Sequence, residues 1–283
     1  MYYYANGDKY KGNYKNGKRD GYGILYLSDR IIYEGDFKND YIEGYGIVQC
    51  SDGIYEGEVK NNRKEGIGRI FYLNGDKYEG EFKNDKIEGY GFKFYSGGGK
   101  YIGSFKNFMR EGFGIEYFPG GCRYVGIFKN DKKEGYGIEY NSNGDKYESN
   151  FKNNTLDGYG IIYFSDGATY EGEFKNNDLE GYAIFKYYKG GKYEGEFKNN
   201  KRDGKGKMYS SCGCIYEGEF KNDMEERFGI VNLQNGDRYE GEFINGICNG
   251  YGTFYSHLGL QVKRCFKNDL STNILYIIYL YKQ

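Results

Sequence analysis

A 23-residue period constrains the fold of this chain more than any other feature. Most units of the period open with a tyrosine, and the leading residues are Tyr10, Tyr33, Tyr55, Tyr78, Tyr101, Tyr124, Tyr147, Tyr170, Tyr193, Tyr216, Tyr239 and, in the twelfth unit, Val262. Every step is 23 residues except that from Tyr33 to Tyr55, which is 22. Such a persistent period predicts stacked copies of one supersecondary unit, each touching mainly its neighbours.

Each unit contains two strand-like segments and a turn signal. Tyr170 to Lys175, "YEGEFK", alternates aromatic or glycine with charged residues, which is the period of a half-buried strand. A Gly-x-Gly segment begins eleven residues after most of the leading tyrosines, and Asn-Gly or Asp-Gly often precedes the next one. We therefore predict strands over 170–175 and 181–187, joined by a short loop over 176–180.

The composition favours strands along the whole chain. With 36 Tyr, 20 Phe and 47 Gly but only one Pro and no Trp, few windows have high helix propensity. We predict an all-β fold, an elongated, single-layer, twisted antiparallel β-meander solenoid of about twelve hairpin repeats. The predicted array covers residues 2–268, and residues 269–283 form an apolar C-terminal strand that caps the sheet or dimerises.

The glycines at regular positions predict how the sheet packs. If Phe174 lies opposite Gly181, then Gly172 faces Ala183 and Tyr170 faces Phe185, and large rings from adjacent strands fill the space over the glycines. A one-residue slip would exchange the faces of the second strand. The residues assigned to this structural role are Tyr78, Gly80, Phe82, Gly89, Gly91, Gly158, Gly160, Tyr170, Gly172, Phe174, Tyr193, Gly195 and Phe197.

Catalytic and metal chemistry lack candidates. His257 is the single histidine, and among six cysteines only Cys212 and Cys214 are close, without the spacing of a zinc site. Paired carboxylates such as Glu171 and Glu173 recur in many units, which favours solvated strand positions over an active site. We expect no enzyme activity, no catalytic residue, no metal, no cofactor and no small-molecule substrate.

The charge pattern supports two interpretations. The formal net charge of −1 argues against nucleic-acid binding. A lysine column, which includes Lys83, Lys106, Lys129, Lys152 and Lys175, could contact anionic lipid headgroups or another polyanion. Beside it runs an acidic row that includes Asp20, Glu43, Glu65, Glu88, Glu111, Glu180, Asp203 and Glu226. The alternative is therefore a solvated edge whose opposite charges cancel.

The C-terminal segment is apolar and short. Its side chains Ile274, Leu275, Ile277, Ile278 and Leu280 either cap the last strand or pair with a second copy to form a homodimer. The sequence shows no signal-peptide pattern, and its apolar segments are too short to span a bilayer. We therefore expect a cytoplasmic protein that is neither secreted nor transmembrane.

The Tyr-Glu-Gly-x-aromatic strand followed by Gly-x-Gly in a 23-residue unit resembles the MORN (membrane occupation and recognition nexus) repeat. The departures are Val59 for the aromatic residue, Ser149 and Arg264 for the first-strand glycine, and Ala183 and Arg227 within Gly-x-Gly. The resemblance implies a twisted β-meander in proteins that join membranes, cytoskeletal structures and partner proteins. It also extends to the accessory repeats of phosphatidylinositol phosphate kinases, but here the repeats leave no room for a kinase core.

Three functions are compatible with these patterns. The first is a non-enzymatic scaffold that binds proteins and self-associates at cytoskeletal or submembrane structures. The second is a tether that binds phosphoinositides or another anionic membrane surface through the lysine column. The third is an axonemal component similar to those of radial spokes.

Overall fold

The computed structural model describes residues 1–27 and 30–266, and in these ranges the regular secondary structure is strand. The chain forms two compact units, residues 1–142 and a second unit that begins at residue 143. In the described ranges, no helix is long and apolar enough to cross a bilayer.

The first unit is an antiparallel meander in which each strand pairs with the next. Its strands are β1 (Tyr2–Tyr3), β2 (Lys9–Lys15), β3 (Lys18–Leu27), β4 (Arg30–Lys38), β5 (Tyr41–Gln49), β6 (Gly53–Lys60), β7 (Arg63–Tyr72), β8 (Lys77–Lys83), β9 (Lys86–Phe94), β10 (Lys100–Lys106), β11 (Met109–Tyr117), β12 (Arg123–Lys129) and β13 (Lys132–Tyr140).

The second unit repeats the same arrangement. Its described strands are β14 (Lys146–Lys152), β15 (Thr155–Tyr163), β16 (Thr169–Lys175), β17 (Asp178–Lys186), β18 (Lys192–Lys198), β19 (Lys201–Tyr209), β20 (Ile215–Lys221), β21 (Met224–Asn232), β22 (Arg238–Ile244), β23 (Ile247–Tyr255) and β24 (Gln261–Phe266). The predicted all-β meander of hairpin repeats is thus confirmed in each unit. The predicted C-terminal segment, residues 269–283, lies outside the described residues.

The hairpin within each repeat is tighter than the sequence pattern indicated. The predicted loop over 176–180 is wrong, because β17 begins at Asp178 and leaves only Asn176 and Asn177 between the strands. These two residues have φ angles of 51° and 73°. Two consecutive positive φ values define a type I′ turn, and asparagine tolerates this conformation better than most residues.

The observed register differs from the predicted one because the second strand contains a bulge. Tyr170 pairs with Phe185 and Gly172 with Ala183, as predicted, but the register then shifts and Phe174 faces Leu179 instead of Gly181. The shift leaves two additional residues in β17, one of which is Gly181 with a φ of 66°. Because the shift is an even number of residues, each side chain remains on the face predicted for it.

The core is built by tyrosine rings that lie over paired glycines. A Cβ added to Gly80 or Gly91 would lie 2.5 or 2.4 Å from the hydroxyl of Tyr78, so the ring occupies the space of both missing side chains. The Tyr78 hydroxyl donates a hydrogen bond to the carbonyl of Glu81, at 3.2 Å. The prediction that rings from adjacent strands cover the glycines holds for second-strand glycines such as Gly91, but the first-strand glycines such as Gly80 are covered by the tyrosine of their own strand.

Phenylalanines link successive repeats. Phe105 makes edge-to-face contacts with Tyr101 of its own strand and Tyr78 of the preceding repeat, with centroids 5.1 and 5.2 Å apart. The guanidinium of Arg110 covers Tyr101 and Phe128, at 5.6 and 4.8 Å from the ring centroids. Ten of the leading tyrosines are fully buried in this way. We call this side of the sheet the ring face; in the described ranges it forms a core on a single sheet.

Candidate protein-interaction face

In each unit the opposite side of the sheet, which we call the open face, carries a row of exposed apolar residues. The two glycines of Gly-x-Gly share the ring face, so the residue between them points the other way. Ten of these residues are at least 52% exposed, and they are Tyr22, Tyr45, Ile67, Tyr90, Phe113, Tyr136, Tyr159, Tyr182, Phe228 and Tyr251. We call these nine aromatic residues and Ile67 the aromatic row. In the one remaining described repeat the position is Lys205.

Carboxylates from neighbouring first strands hold several of these phenols in place. The hydroxyl of Tyr159 donates a hydrogen bond to Glu171 at 2.6 Å, and that of Tyr22 donates to Glu34. These hydrogen bonds raise the pKa of both phenols, because an ionised phenolate could not donate to a carboxylate. The rings are therefore neutral at physiological pH and pre-positioned for contact with a partner.

A second carboxylate of the open face has a structural role. Glu81 accepts a hydrogen bond from the backbone N–H of Tyr90 at 2.9 Å, and Glu58 accepts one from Ile67 at 3.3 Å. The bulge removes these N–H groups from the regular ladder of the hairpin, so the side chain replaces a strand partner. The acidic pairs in the seven repeats that carry both are Glu34 and Asp36, Glu56 and Glu58, Glu79 and Glu81, Glu171 and Glu173, Glu194 and Glu196, Glu217 and Glu219, and Glu240 and Glu242.

The lysine column lies where the first strand of each hairpin ends. All five lysines predicted to contact polyanions are exposed, namely Lys83, Lys106, Lys129, Lys152 and Lys175. The acidic row beside them binds backbone: Glu65 accepts from the N–H of Asn84 at 2.9 Å, and Glu88 accepts from Asn107 at 3.1 Å. An ion pair between the row and the column occurs at Asp203 and Lys221, 3.0 Å apart.

Sequence reasoning missed this role of the acidic row. Each of these acids lies 18 or 19 residues before the first asparagine of the next turn, whose N–H it binds. That spacing is visible in the sequence, but it gains meaning only when the turn is known to be two residues long. The acids therefore link each hairpin to the next by hydrogen bonds, and they also offset the positive charge of the lysines.

Two sets of residues from the sequence analysis remain, namely those considered as metal ligands and those predicted to self-associate. Among the described residues, no three His, Cys, Asp or Glu side chains cluster as a metal site would require. The ring of His257 lies 2.7 Å from Asp237; burial opposes the ionised form of Asp237, but hydrogen bonds from His257 keep its pKa below the usual value. The predicted self-association residues Ile274, Leu275, Ile277, Ile278 and Leu280 lie outside the described residues.

Comparison with solved structures gives distant likenesses. The TCP domain of Drosophila melanogaster SAS-4, in complex with a proline-rich motif of Ana2, aligns over 55% of this chain and 85% of its own, with 12% identity and a TM-score of 0.36. The TCP10 domain of Danio rerio CPAP, in complex with a STIL peptide, aligns over 80% and 95%, with 10% identity and a TM-score of 0.43. No curated protein sequence matches this chain.

The family model for the MORN repeat matches eleven consecutive segments. They are residues 10–30, 33–54, 55–77, 78–100, 101–123, 124–146, 147–169, 170–192, 193–214, 216–238 and 239–257. Each segment begins at one of the leading tyrosines, and ten of these eleven tyrosines are fully buried on the ring face. The chain therefore belongs to the MORN repeat family.

Proposed function

We propose that this protein is a non-enzymatic scaffold that binds partner proteins through the open face of its repeats, at cytoskeletal or submembrane structures. The observation that carries the proposal is the aromatic row, whose members are at least 52% exposed on strands held rigidly by the ring face. Large, ordered aromatic side chains supply much of the contact energy in protein interfaces at low entropic cost.

The size of the row sets how many repeats a partner must contact. Burial of three half-exposed rings removes about 300 Å² from water, which is about 7 kcal/mol at 25 cal/mol per Å². Association costs offset much of this gain. A stable partner therefore extends across at least three or four repeats, and a binding surface that repeats along a sheet suits that requirement.

The test uses substitutions that the chain itself tolerates. Tyr182→Lys and Phe228→Lys copy Lys205, which occupies the same position in the repeat between them. The control is Tyr188→Lys, because Tyr188 is 57% exposed but lies outside the row. We expect quantitative affinity purification from the native cell to lose specific partners, by tenfold or more, with the row variants and not with the control. Partners retained by both row variants would contradict the proposal.

A second candidate function is binding to anionic membranes, including phosphoinositides. The observation in its favour is that the lysine column is exposed while members of the neighbouring acidic row bind backbone N–H groups. Charge reversal of Lys83, Lys106 and Lys129, against Lys189→Glu as control, should then abolish flotation with phosphoinositide vesicles. Flotation that is indifferent to these changes and to salt would remove this candidate.

Self-association through the C-terminal segment remains part of the scaffold proposal. Removal of residues 269–283 should reduce the oligomer size measured by sedimentation velocity. An unchanged sedimentation coefficient beyond the small loss of mass would contradict it.

A further inference from the structure

The open face of β9 to β13 departs from the pattern of the other repeats. In seven repeats the first strand places two acidic residues on this face, as Glu79 and Glu81 do on β8. On β10 the same positions are Ile102 and Ser104, and on β12 they are Val125 and Ile127. Two consecutive repeats have therefore lost all four of these carboxylates.

The substitutions create a continuous apolar surface. Phe92, Ile102, Ile115, Val125 and Ile138 are successive cross-strand partners on five adjacent strands. In the preceding repeats the same row alternates with carboxylates, as where Ile47 pairs with Glu34 and Glu56. Since strands lie about 4.8 Å apart, the uninterrupted row is about 19 Å long.

The neighbouring row widens this surface. Phe113 pairs with Ile127, and these side chains are 57% and 40% exposed. Tyr90 and Tyr136 of the aromatic row lie on the flanking strands, 52% and 56% exposed. We call the two rows together the apolar patch, which comprises Tyr90, Phe92, Ile102, Phe113, Ile115, Val125, Ile127, Tyr136 and Ile138.

The patch is formed at a cost to local hydrogen bonding. Glu81 accepts the N–H of Tyr90 at 2.9 Å, but Ile127, at the position equivalent to Glu81, has no acceptor for the N–H of Tyr136. The turn between β10 and β11 shows a second cost. Phe108 is 52% exposed with a φ of 68°, a conformation in which the other hairpin turns place Asn, Asp or Gly.

Phe108 also lacks a hydrogen bond that links neighbouring hairpins elsewhere in the sheet. Asp85, which holds the same turn position one repeat earlier, accepts the N–H of Lys64 through its carboxylate at 2.9 Å. A phenylalanine cannot accept such a bond. Adjacent repeats thus combine lost hydrogen bonds and an unfavourable backbone angle with exposed apolar area, which is the combination expected of a binding surface and not of a packing requirement.

Charges at the two ends of the patch indicate what binds there. Lys106 and Lys129 are exposed at the turn end of β10 and β12. At the other end, Lys100 lies 4.6 Å from the ring centroid of Tyr117 and Arg123 lies 4.1 Å from that of Tyr140. The nearby Glu111 binds the backbone N–H of Asn130 at 2.9 Å. The borders of the patch at the two strand ends therefore carry basic groups, whereas on its β8 side Glu79 pairs with Phe92. The complement of the strand-end borders is an apolar stripe flanked by carboxylates.

We propose that the apolar patch docks an amphipathic segment of a partner protein, with an aliphatic or aromatic stripe between Asp or Glu residues. This proposal rests on the scaffold function and names the chemistry of one partner. A helix is the conformation that matches the patch, because its pitch of 5.4 Å is close to the 4.8 Å spacing of the strands it would cross. About 13 helical residues span the 19 Å row. A second copy of this chain fits less well, since its equally basic borders would face those of the first.

The experiment compares two synthetic helical peptides on the full-length protein. Both carry leucines on one face, and the flanking residues are Glu in one and Lys in the other. We expect the Glu peptide to bind at least tenfold more tightly by fluorescence anisotropy, and Ile102→Glu with Ile127→Glu to reduce that affinity at least tenfold. The same double variant should unfold at an equal or higher temperature, because it restores the residues of seven other repeats and supplies an acceptor to Tyr136.

Further variants make the outcome decisive. If the double variant does not fold, Phe113→Lys, which copies Lys205, replaces it in the assay. We expect Phe113→Lys to reduce the affinity for the Glu peptide by the same factor. Equal binding of both peptides, or binding unchanged by the variants, would overturn the proposal, as would recruitment by anionic vesicles but not by the Glu peptide. If the peptide results contradict the proposal but Tyr182→Lys still loses cellular partners, the scaffold function is retained. Only the partner chemistry assigned to the apolar patch is then rejected.

Discussion

The space over a glycine pair in this sheet holds one methyl group but not two. Most described repeats have glycine at both positions, but Ala183 faces Gly172 in the repeat led by Tyr170. Tyr170 remains fully buried there, and its ring meets Phe174 at 64°, against 86° for Tyr78 and Phe82. A Cβ added to Gly172 would lie 2.4 Å from the Cβ of Ala183 and 2.8 Å from the Tyr170 hydroxyl.

The expected energies follow from this crowding. Overpacking a tight site costs about 1–3 kcal/mol, and complete expulsion of the ring would expose about 150–200 Å², or about 4–5 kcal/mol at 25 cal/mol per Å². We expect Gly172→Ala to cost about 3 kcal/mol when Ala183 is present. In an Ala183→Gly background only one methyl is present, so the same change should cost about 1–2 kcal/mol. The double-mutant coupling energy is then about 1–2 kcal/mol.

Urea unfolding of the four proteins, followed by circular dichroism, measures the cycle. Hydrogen exchange at the amides of residues 170–185 shows whether the loss is local. Gly97→Ala is the matched control, because a Cβ at Gly97 meets no atom within 4 Å. Equal costs of Gly172→Ala in the two backgrounds, or a comparable cost at Gly97, would refute the account of ring seating.

Two further predictions concern pH and backbone strain. Burial is the main cause that raises the pKa of nine ring tyrosines, Tyr10, Tyr33, Tyr55, Tyr78, Tyr101, Tyr124, Tyr170, Tyr193 and Tyr239. Their contribution to stability is complete below pH 10 and is lost as pH rises toward the folded-state pKa values, by up to about 1.4 kcal/mol per pH unit for each tyrosine. Phenolate absorbance should therefore rise cooperatively with loss of the β-sheet signal, and gradual ionisation of an intact fold would contradict this. Arg227 has a φ of 56° where most repeats have glycine, so Arg227→Gly should raise stability by about 0.5–1 kcal/mol despite the loss of its exposed ion pair with Glu219. A lower unfolding midpoint would show that the ion pair outweighs the strain.

Sequence periodicity predicted the strands and faces because both depend on local alternation. Tyr170, Gly172 and Phe174 share a face whatever the register of the partner strand, and the bulge displaced that register by an even number of residues. The bulge itself could not be predicted. It depends on a positive φ at Gly181, and glycine is compatible with both ordinary strand and bulge.

The candidate site was less accessible to sequence reasoning than the fold. The residue between the glycines, such as Tyr182, could be placed on the mixed face by alternation, but its 62% exposure depends on the absence of a covering layer. The apolar patch was visible in the sequence only as four departures from an acidic pattern. Their meaning depends on cross-strand pairs such as Ile102 with Ile115, which are set by the observed register.

The repeat led by Tyr147 explains why the motif begins with tyrosine and not with phenylalanine. Ser149 replaces the first-strand glycine there, its side chain is 1% exposed, and Tyr147 is only half-buried. The Ser149 hydroxyl lies 3.3 Å from the carbonyl oxygens of both Asn150 and Tyr159, and the Asn150 carbonyl is equivalent to the Glu173 carbonyl to which the Tyr170 hydroxyl donates at 2.9 Å. A hydroxyl thus reaches this carbonyl in both repeats, from two different residues. The bulge interrupts the backbone ladder at this point, so a donor is needed, and the tyrosine supplies it while its ring fills the space over the glycines. The tyrosine and the glycine pair therefore work together: the ring fills the space over the glycines and the hydroxyl donates to the carbonyl. A phenylalanine would fill the same space but would leave the carbonyl without the tyrosine donor.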